Sequence, residues 1–145
     1  MQADGGTLTW PAQAPGQPDN VVAEGQTIDL TGSGTSLVFA GTVNNGTATG
    51  TGMITYSDGS TQSFTLTLAD WYADSPAAGD QLVATTSDGN TPPGSTLGSH
   101  AVSVYATTIT LAARKTVQSV TLPTISNGVG DSLNAMHLFA MGIAG

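Results

Sequence analysis

The side chains with chemistry to offer in this sequence are two tryptophans, two histidines and ten carboxylates. Hydrolysis would require a nucleophile with its base, or a carboxylate pair placed across the scissile bond. Asp58 and Asp88 each precede a glycine, where turn geometry explains them better than proton transfer does. The serines show no strained Gly-x-Ser-x-Gly elbow, and Gly32-Ser33-Gly34 and Gly94-Ser95 read as loop punctuation. His100 and His137 have no second His or Glu at metal-ligand spacing, and His137 reads as a packed or sheet-edge imidazole on the strand face of Phe139 and Met141. No catalytic residue is assigned, and the chain is expected not to be an enzyme. Oxygen-rich loops leave room for a structural calcium ion, with Asp19-Asn20 and Asp29 as candidate ligands, although no loop has the Asp-x-Asp-x-Asp-Gly pattern. No other cofactor is expected.

The sharper group is Asp70-Trp71-Tyr72, which opens a long connection just after an apolar alternating run. A flat aromatic side chain can stack on the apolar face of a sugar ring while nearby Asp and Asn side chains take its hydroxyl hydrogens. Asp88, Asn90 and His100, in the next long connection, complete with Asp70, Trp71 and Tyr72 the candidate carbohydrate-binding set. The competing reading folds Trp71 back as a plug for the end of a core, since large aromatics fill cores more often than sites. Trp10, before Pro11, is expected to pack as a lid, and Phe39, Tyr56, Phe64 and Phe139 as core. Asn45-Gly46-Thr47 fits a glycosylation sequon, but an Asn-Gly turn explains it at lower cost.

These residues must be positioned by strands. Short runs rich in Val, Ile, Thr, Tyr and Phe, separated by Asp-Gly and Asn-Gly turns, predict strands near 7–10, 26–30, 36–43, 49–56, 61–68, 81–86, 101–111, 118–122 and 136–143. No segment of ten or more residues carries a helical apolar stripe. Such a pattern predicts an all-β, antiparallel β-sandwich of the jelly-roll type, as one domain over 1–145. Between the strands lie three long connections, Pro11–Ala23, Asp70–Asp80 and Ser87–His100, of a length that is often functional.

One hairpin can be set in register. A two-residue Asp58-Gly59 turn would place the apolar groups of 52–56 and 64–68 on opposite faces. A three-residue loop, Ser57-Asp58-Gly59 with Gly59 left-handed, pairs Tyr56 with Ser60 and Ile54 with Gln62. Ile54, Tyr56, Phe64, Leu66 and Leu68 then share one face, and a one-residue slip would expose them all. In 101–111 the apolar phase of Val102, Val104 and Ala106 does not continue into Ile109 and Leu111, which predicts a bulge near Thr107-Thr108. In the last strand Met136 and Leu138 oppose Phe139, Met141 and Ile143, which predicts a central strand apolar on both faces.

Composition limits the partners. The formal charge is −8, and Arg114 and Lys115 are the only Lys or Arg residues among 145, too few to neutralise a nucleic-acid backbone or seek an anionic membrane. No apolar run reaches the ~20 residues that span a bilayer. Charged residues make up 8% of the chain, which argues against disorder and against a helical bundle. There is no cysteine. Met1-Gln2-Ala3-Asp4 lacks the basic and apolar regions of a leader peptide, and the chain reads as a domain cut from a longer secreted protein.

Several stretches taken in order carry a resemblance: residues 19–28 (Asp-Asn-Val-Val-Ala-Glu-Gly-Gln-Thr-Ile), Ile54–Leu66, Ala69-Asp70-Trp71, Val104-Tyr105-Ala106, Lys115–Pro123 and Met136–Met141. Together, over nearly the whole chain, they resemble the β-sandwich accessory domain of secreted, multidomain bacterial glycoside hydrolases, especially actinobacterial ones such as α-mannosidase-like enzymes. The resemblance implies an extracellular jelly-roll module without catalysis of its own. Its partners would be a glycan or polysaccharide and the neighbouring catalytic domain of the parent chain. A structural spacer or docking module without a sugar ligand is the alternative. The family's Asp-Trp pair matches Asp70-Trp71, and its Leu-His-Val-Phe-like final strand is similar to Met136-His137-Leu138-Phe139. Where relatives often carry a Tyr-Arg pair, this chain has Ser87-Asp88-Gly89-Asn90, with neither the aromatic nor the guanidinium.

Overall fold

The computed structural model of the chain describes residues 2–3, 5–14, 16–73, 75–87, 100–125 and 134–145. Among these residues eleven strands form: β1 (Gln2–Ala3), β2 (Gly6–Thr7), β3 (Val21–Val22), β4 (Thr27–Ser33), β5 (Ser36–Asn44), β6 (Ala48–Tyr56), β7 (Thr61–Leu68), β8 (Gln81–Thr86), β9 (Val102–Thr110), β10 (Thr116–Thr121) and β11 (Ala135–Ala144). A four-stranded sheet, β4-β10-β6-β7, faces a five-stranded sheet, β3-β11-β5-β9-β8, and β1 and β2 form a separate ribbon. With β8 set aside, the antiparallel pairs nest: β6 with β7, β5 with β9, β4 with β10 and β3 with β11. That is a long hairpin rolled into two sheets, the winding of a jelly roll. Strand β8 extends the second sheet beyond β9.

The central hairpin has the register its turn dictates. Ile54 pairs with Gln62, the Tyr56 amide donates to the Ser60 carbonyl at 2.9 Å, and Gly59 is left-handed at φ 81°. Ile54, Tyr56, Phe64, Leu66 and Leu68 are all buried between the sheets, with Phe64 stacked on Phe39 of the opposite sheet at 5.5 Å between ring centroids. Gly52, beside Phe64, has no room for a side chain: a Cβ there would collide with the Phe64 ring and stand 2.7 Å from the Thr121 carbonyl. The outer face of the four-stranded sheet is instead polar, and its hydroxyls pair across strands, Thr27 with Thr121, Ser33 with Thr116 and Thr49 with Thr67.

The outer face of the five-stranded sheet is partly covered by the β1–β2 ribbon, and this corrects two expectations. Strand β9 runs without a register shift against β5, so there is no bulge at Thr107-Thr108. Tyr105, Ile109 and Leu111 pack between the sheets. Ala106 points outward into a second, smaller core with Ala3, Leu8, Val38, Ala40 and Ala144, under the β1–β2 ribbon. The phase break in the sequence came from an outer face that is itself buried. The bulge lies in β11, where the register against β5 shifts between Leu138 and Ala140. It places Met136 and Leu138, and then Met141 and Ile143, all toward the main core, and leaves Phe139 outside it. The expected strand over 7–10 is shorter: only Gly6–Thr7 pairs, and Leu8–Trp10 continues as irregular chain.

Candidate functional site

The groove is made where β5 and β9 part. Their pairing reaches Gly41 and Tyr105, and beyond it the chain leaving β7 inserts between them. The Val43 amide donates to the Ala69 carbonyl at 3.0 Å, and the Trp71 amide to the Val43 carbonyl at 2.8 Å. On the other side the Ser103 amide donates to the Trp71 carbonyl at 2.8 Å. Residues 69–71 therefore act as a short parallel splice in an antiparallel sheet, and the main chain fixes where Trp71 stands. Asp70 locks the splice from the side: its carboxylate accepts from the Tyr72 amide at 2.8 Å and from the Gly46 amide. Asn45 and Gly46 both have positive φ, as a tight Asn-Gly turn requires, here linking two sheets.

Asp80 secures the same segment from below. One of its carboxylate oxygens accepts from the Ala69 amide at 3.0 Å, and the other is buried without a hydrogen-bond partner. Burial raises its pKa to about 6, against the pull of its backbone donors. The fold therefore favours the protonated acid. The stability this gives is complete below the ordinary value of 3.8 and is lost as pH rises through about 6. Asp80→Asn is expected to raise the melting temperature at pH 7.5 by about 2–4 °C, equivalent to ~1 kcal/mol after solvent screening, and to leave it unchanged near pH 3.5. Melting curves at the two pH values check this, and equal shifts at both would refute it.

Two hollows open on the outer face and share Thr42, Trp71 and Phe139. The first, about 220 Å³, is almost wholly apolar, walled by Trp10, Trp71, Phe139, Ala84, Val102 and Val104. The second, about 270 Å³, adds Asn20, Asn44 and His137. Trp10 stacks on Phe139 at 4.9 Å between centroids, so the chain leaving the ribbon lays a second indole over this face. Trp71 is half-buried. It is neither a core plug nor a free surface residue.

The polar end has a defined donor pattern. Asn20 donates through its amide nitrogen to Asp19 at 2.9 Å, so its oxygen is the partner of His137 Nδ1 at 2.8 Å. His137 therefore carries its proton on Nδ1, and Nε2 is left as an acceptor. Burial holds its pKa below the ordinary histidine value, against the opposing charge of Asp19, and keeps the ring neutral. The Asn44 side-chain oxygen accepts from the Ala135 amide at 2.6 Å, which leaves its NH2 to offer. A hydroxyl group, both donor and acceptor, matches such a pair.

The residues expected from the sequence divide. Trp71 stands at the centre of the groove. Asp70 lies beside it, with its carboxylate engaged by backbone amides. Tyr72 and His100 stack on each other at 3.5 Å, next to Trp71 but outside the walls of both hollows. Asp88 and Asn90 lie outside the described residues. Trp10, Thr42, Asn44, His137 and Phe139 were not foreseen as site residues, and Asn20 was foreseen only as a candidate calcium ligand. Phe139 had been placed in the core and His137 on the face of Met141; the bulge separates both from Met141. Among the described residues no three His, Asp or Glu side chains gather as a metal site, and Asp29 sits on the four-stranded sheet while Asp19 flanks the five-stranded one. No protein-family model matches the chain, and no curated protein matches it. The chemistry of the groove therefore carries the reading of function.

Proposed function

We propose that this domain is a non-catalytic carbohydrate-binding module of a secreted glycoside hydrolase, with its ligand held on the outer face of the five-stranded sheet over Trp71. The observation behind this is a groove that is aromatic along its length and polar at one end. Sugar rings present apolar C–H faces and a rim of hydroxyls, and a binding site for them needs both kinds of surface. The test is retention of the purified domain on a glycan array and on insoluble polysaccharides. Binding to at least one glycan, reduced by Trp71→Ala, is expected; retention on none of them sinks the reading.

A second reading, a docking module that meets a neighbouring catalytic domain, is favoured by one feature. Leu82 is 50% exposed on β8, the edge strand next to the apolar hollow. On that reading Leu82→Asp weakens association with the neighbouring domain. On the carbohydrate reading the same substitution leaves glycan retention unchanged.

A further inference from the structure

Resting on the carbohydrate reading, we propose that the groove takes a neutral glycan of at least two sugar residues. One ring lies in the apolar hollow against Trp71, and the next is hydrogen-bonded in the polar hollow by His137 and Asn44. Three observations lead there.

The first is size. Each hollow, at about 220 and 270 Å³, falls below the roughly 300 Å³ at which pockets for a whole drug-sized ligand begin. Each suits a single ring. Because both are bounded by Thr42, Trp71 and Phe139, an occupant of one is adjacent to an occupant of the other.

The second is the division of chemistry. The hollow beside Val102, Val104 and Ala84 has an almost wholly apolar wall, its Thr42 and Ser103 hydroxyls being bonded to the Ala69 carbonyl and to Thr85, and it rewards chiefly an apolar ring face. The hollow beside His137 and Asn44 offers an acceptor nitrogen and a donor amide, the complement of a hydroxyl. A single ring cannot use both, so a chain of two gains where a monosaccharide does not.

The third is charge. Among the described residues no Lys, Arg, Asp or Glu lines either hollow. The chain's two cations, Arg114 and Lys115, lie between β9 and β10, and Lys115 is paired with Asp58 at 2.9 Å. A uronate or sulfated sugar would find no counter-ion in the groove and would approach a chain of charge −8.

Titration calorimetry of the intact chain decides it. The probes are gluco-, manno-, xylo- and chito-oligosaccharides of one to four residues, set beside oligogalacturonates, each at 20 mM and 500 mM salt. The expected result is a gain of at least tenfold in affinity from monosaccharide to disaccharide in one neutral series, with no change on adding salt. Asn44→Ala and His137→Ala should each remove that gain, lowering disaccharide affinity by at least tenfold. Equal affinity for monosaccharide and oligosaccharide overturns the proposal, as does tighter, salt-sensitive binding of galacturonates; in both cases carbohydrate binding itself survives. Binding to no glycan at all removes both.

Discussion

Phe39→Ala is expected to lower stability by about 3–5 kcal/mol, and Phe139→Ala by only about 1–2 kcal/mol, although both are phenylalanines on neighbouring strands of one sheet. Phe39 is fully buried and stacks on Phe64 across the interior, so truncation removes contacts on both sheets and leaves a void that a jelly roll cannot close cheaply. Phe139 stands at the β11 bulge and stacks on Trp10 at the surface, where water fills the space it vacates. Against a total near 5–15 kcal/mol for a typical domain, the first loss lowers the melting temperature by roughly 10–15 °C and the second by a few degrees. Chemical denaturation of the two variants checks this. Equal losses would mean that the register shift at Leu138–Ala140 is absent and that Phe139 belongs to the core.

That contrast marks where the sequence could be read and where it could not. The β6–β7 hairpin was legible because its register depends on local facts: a three-residue loop, a glycine free to adopt positive φ, and five large apolar groups that must share a face. Strand β11 takes the central place its apolar pattern predicts, between β3 and β5, but the phase of β9 and the facing of the β11 residues were misjudged for the same reason as each other. Alternation reports burial, and the five-stranded sheet is partly buried on its outer face by a ribbon more than a hundred residues away from Ala144 in the chain. Outward apolar residues such as Ala106 then imitate core residues, and a bulge is inferred at one strand when it belongs to another.

The site was legible only in part, and again by distance along the chain. Trp71 stood out because a large aromatic opening a long connection is unusual. The bond from the Tyr72 amide to Asp70 is local, but nothing local tells that the same carboxylate also accepts from the Gly46 amide, since the Gly46 turn lies 24 residues earlier. The partnership of Asn20 with His137 spans 117 residues, and no spacing rule reaches that far. One local signal was present and misread: the break in phase at Leu138-Phe139 is what a bulge looks like in sequence, and a bulge is a common device for turning a side chain toward a site.

Trp71→Ala is expected to abolish glycan binding, by at least thirtyfold, while the domain stays folded with a loss of about 1–2 kcal/mol. The two effects separate because the backbone and the indole of Trp71 have different tasks. The splice between β5 and β9 is made by the Trp71 amide and carbonyl, which alanine keeps, and by Asp70 and Asp80 on either side of the segment. The indole is half-buried and projects into the groove, so its removal takes away one shared wall of both hollows. An aromatic anchor at the centre of a binding surface typically carries ~2 kcal/mol or more, which is the thirtyfold expected. Trp71→Phe should recover part of the affinity, since a smaller ring still offers a stacking face, and should match the parent melting curve within about 1 kcal/mol. Circular dichroism melts and calorimetric titration of the same preparations measure both quantities. If Trp71→Ala fails to fold while Trp71→Phe folds normally, the indole is a structural plug. If both fold and bind as the parent does, the ligand lies on another surface.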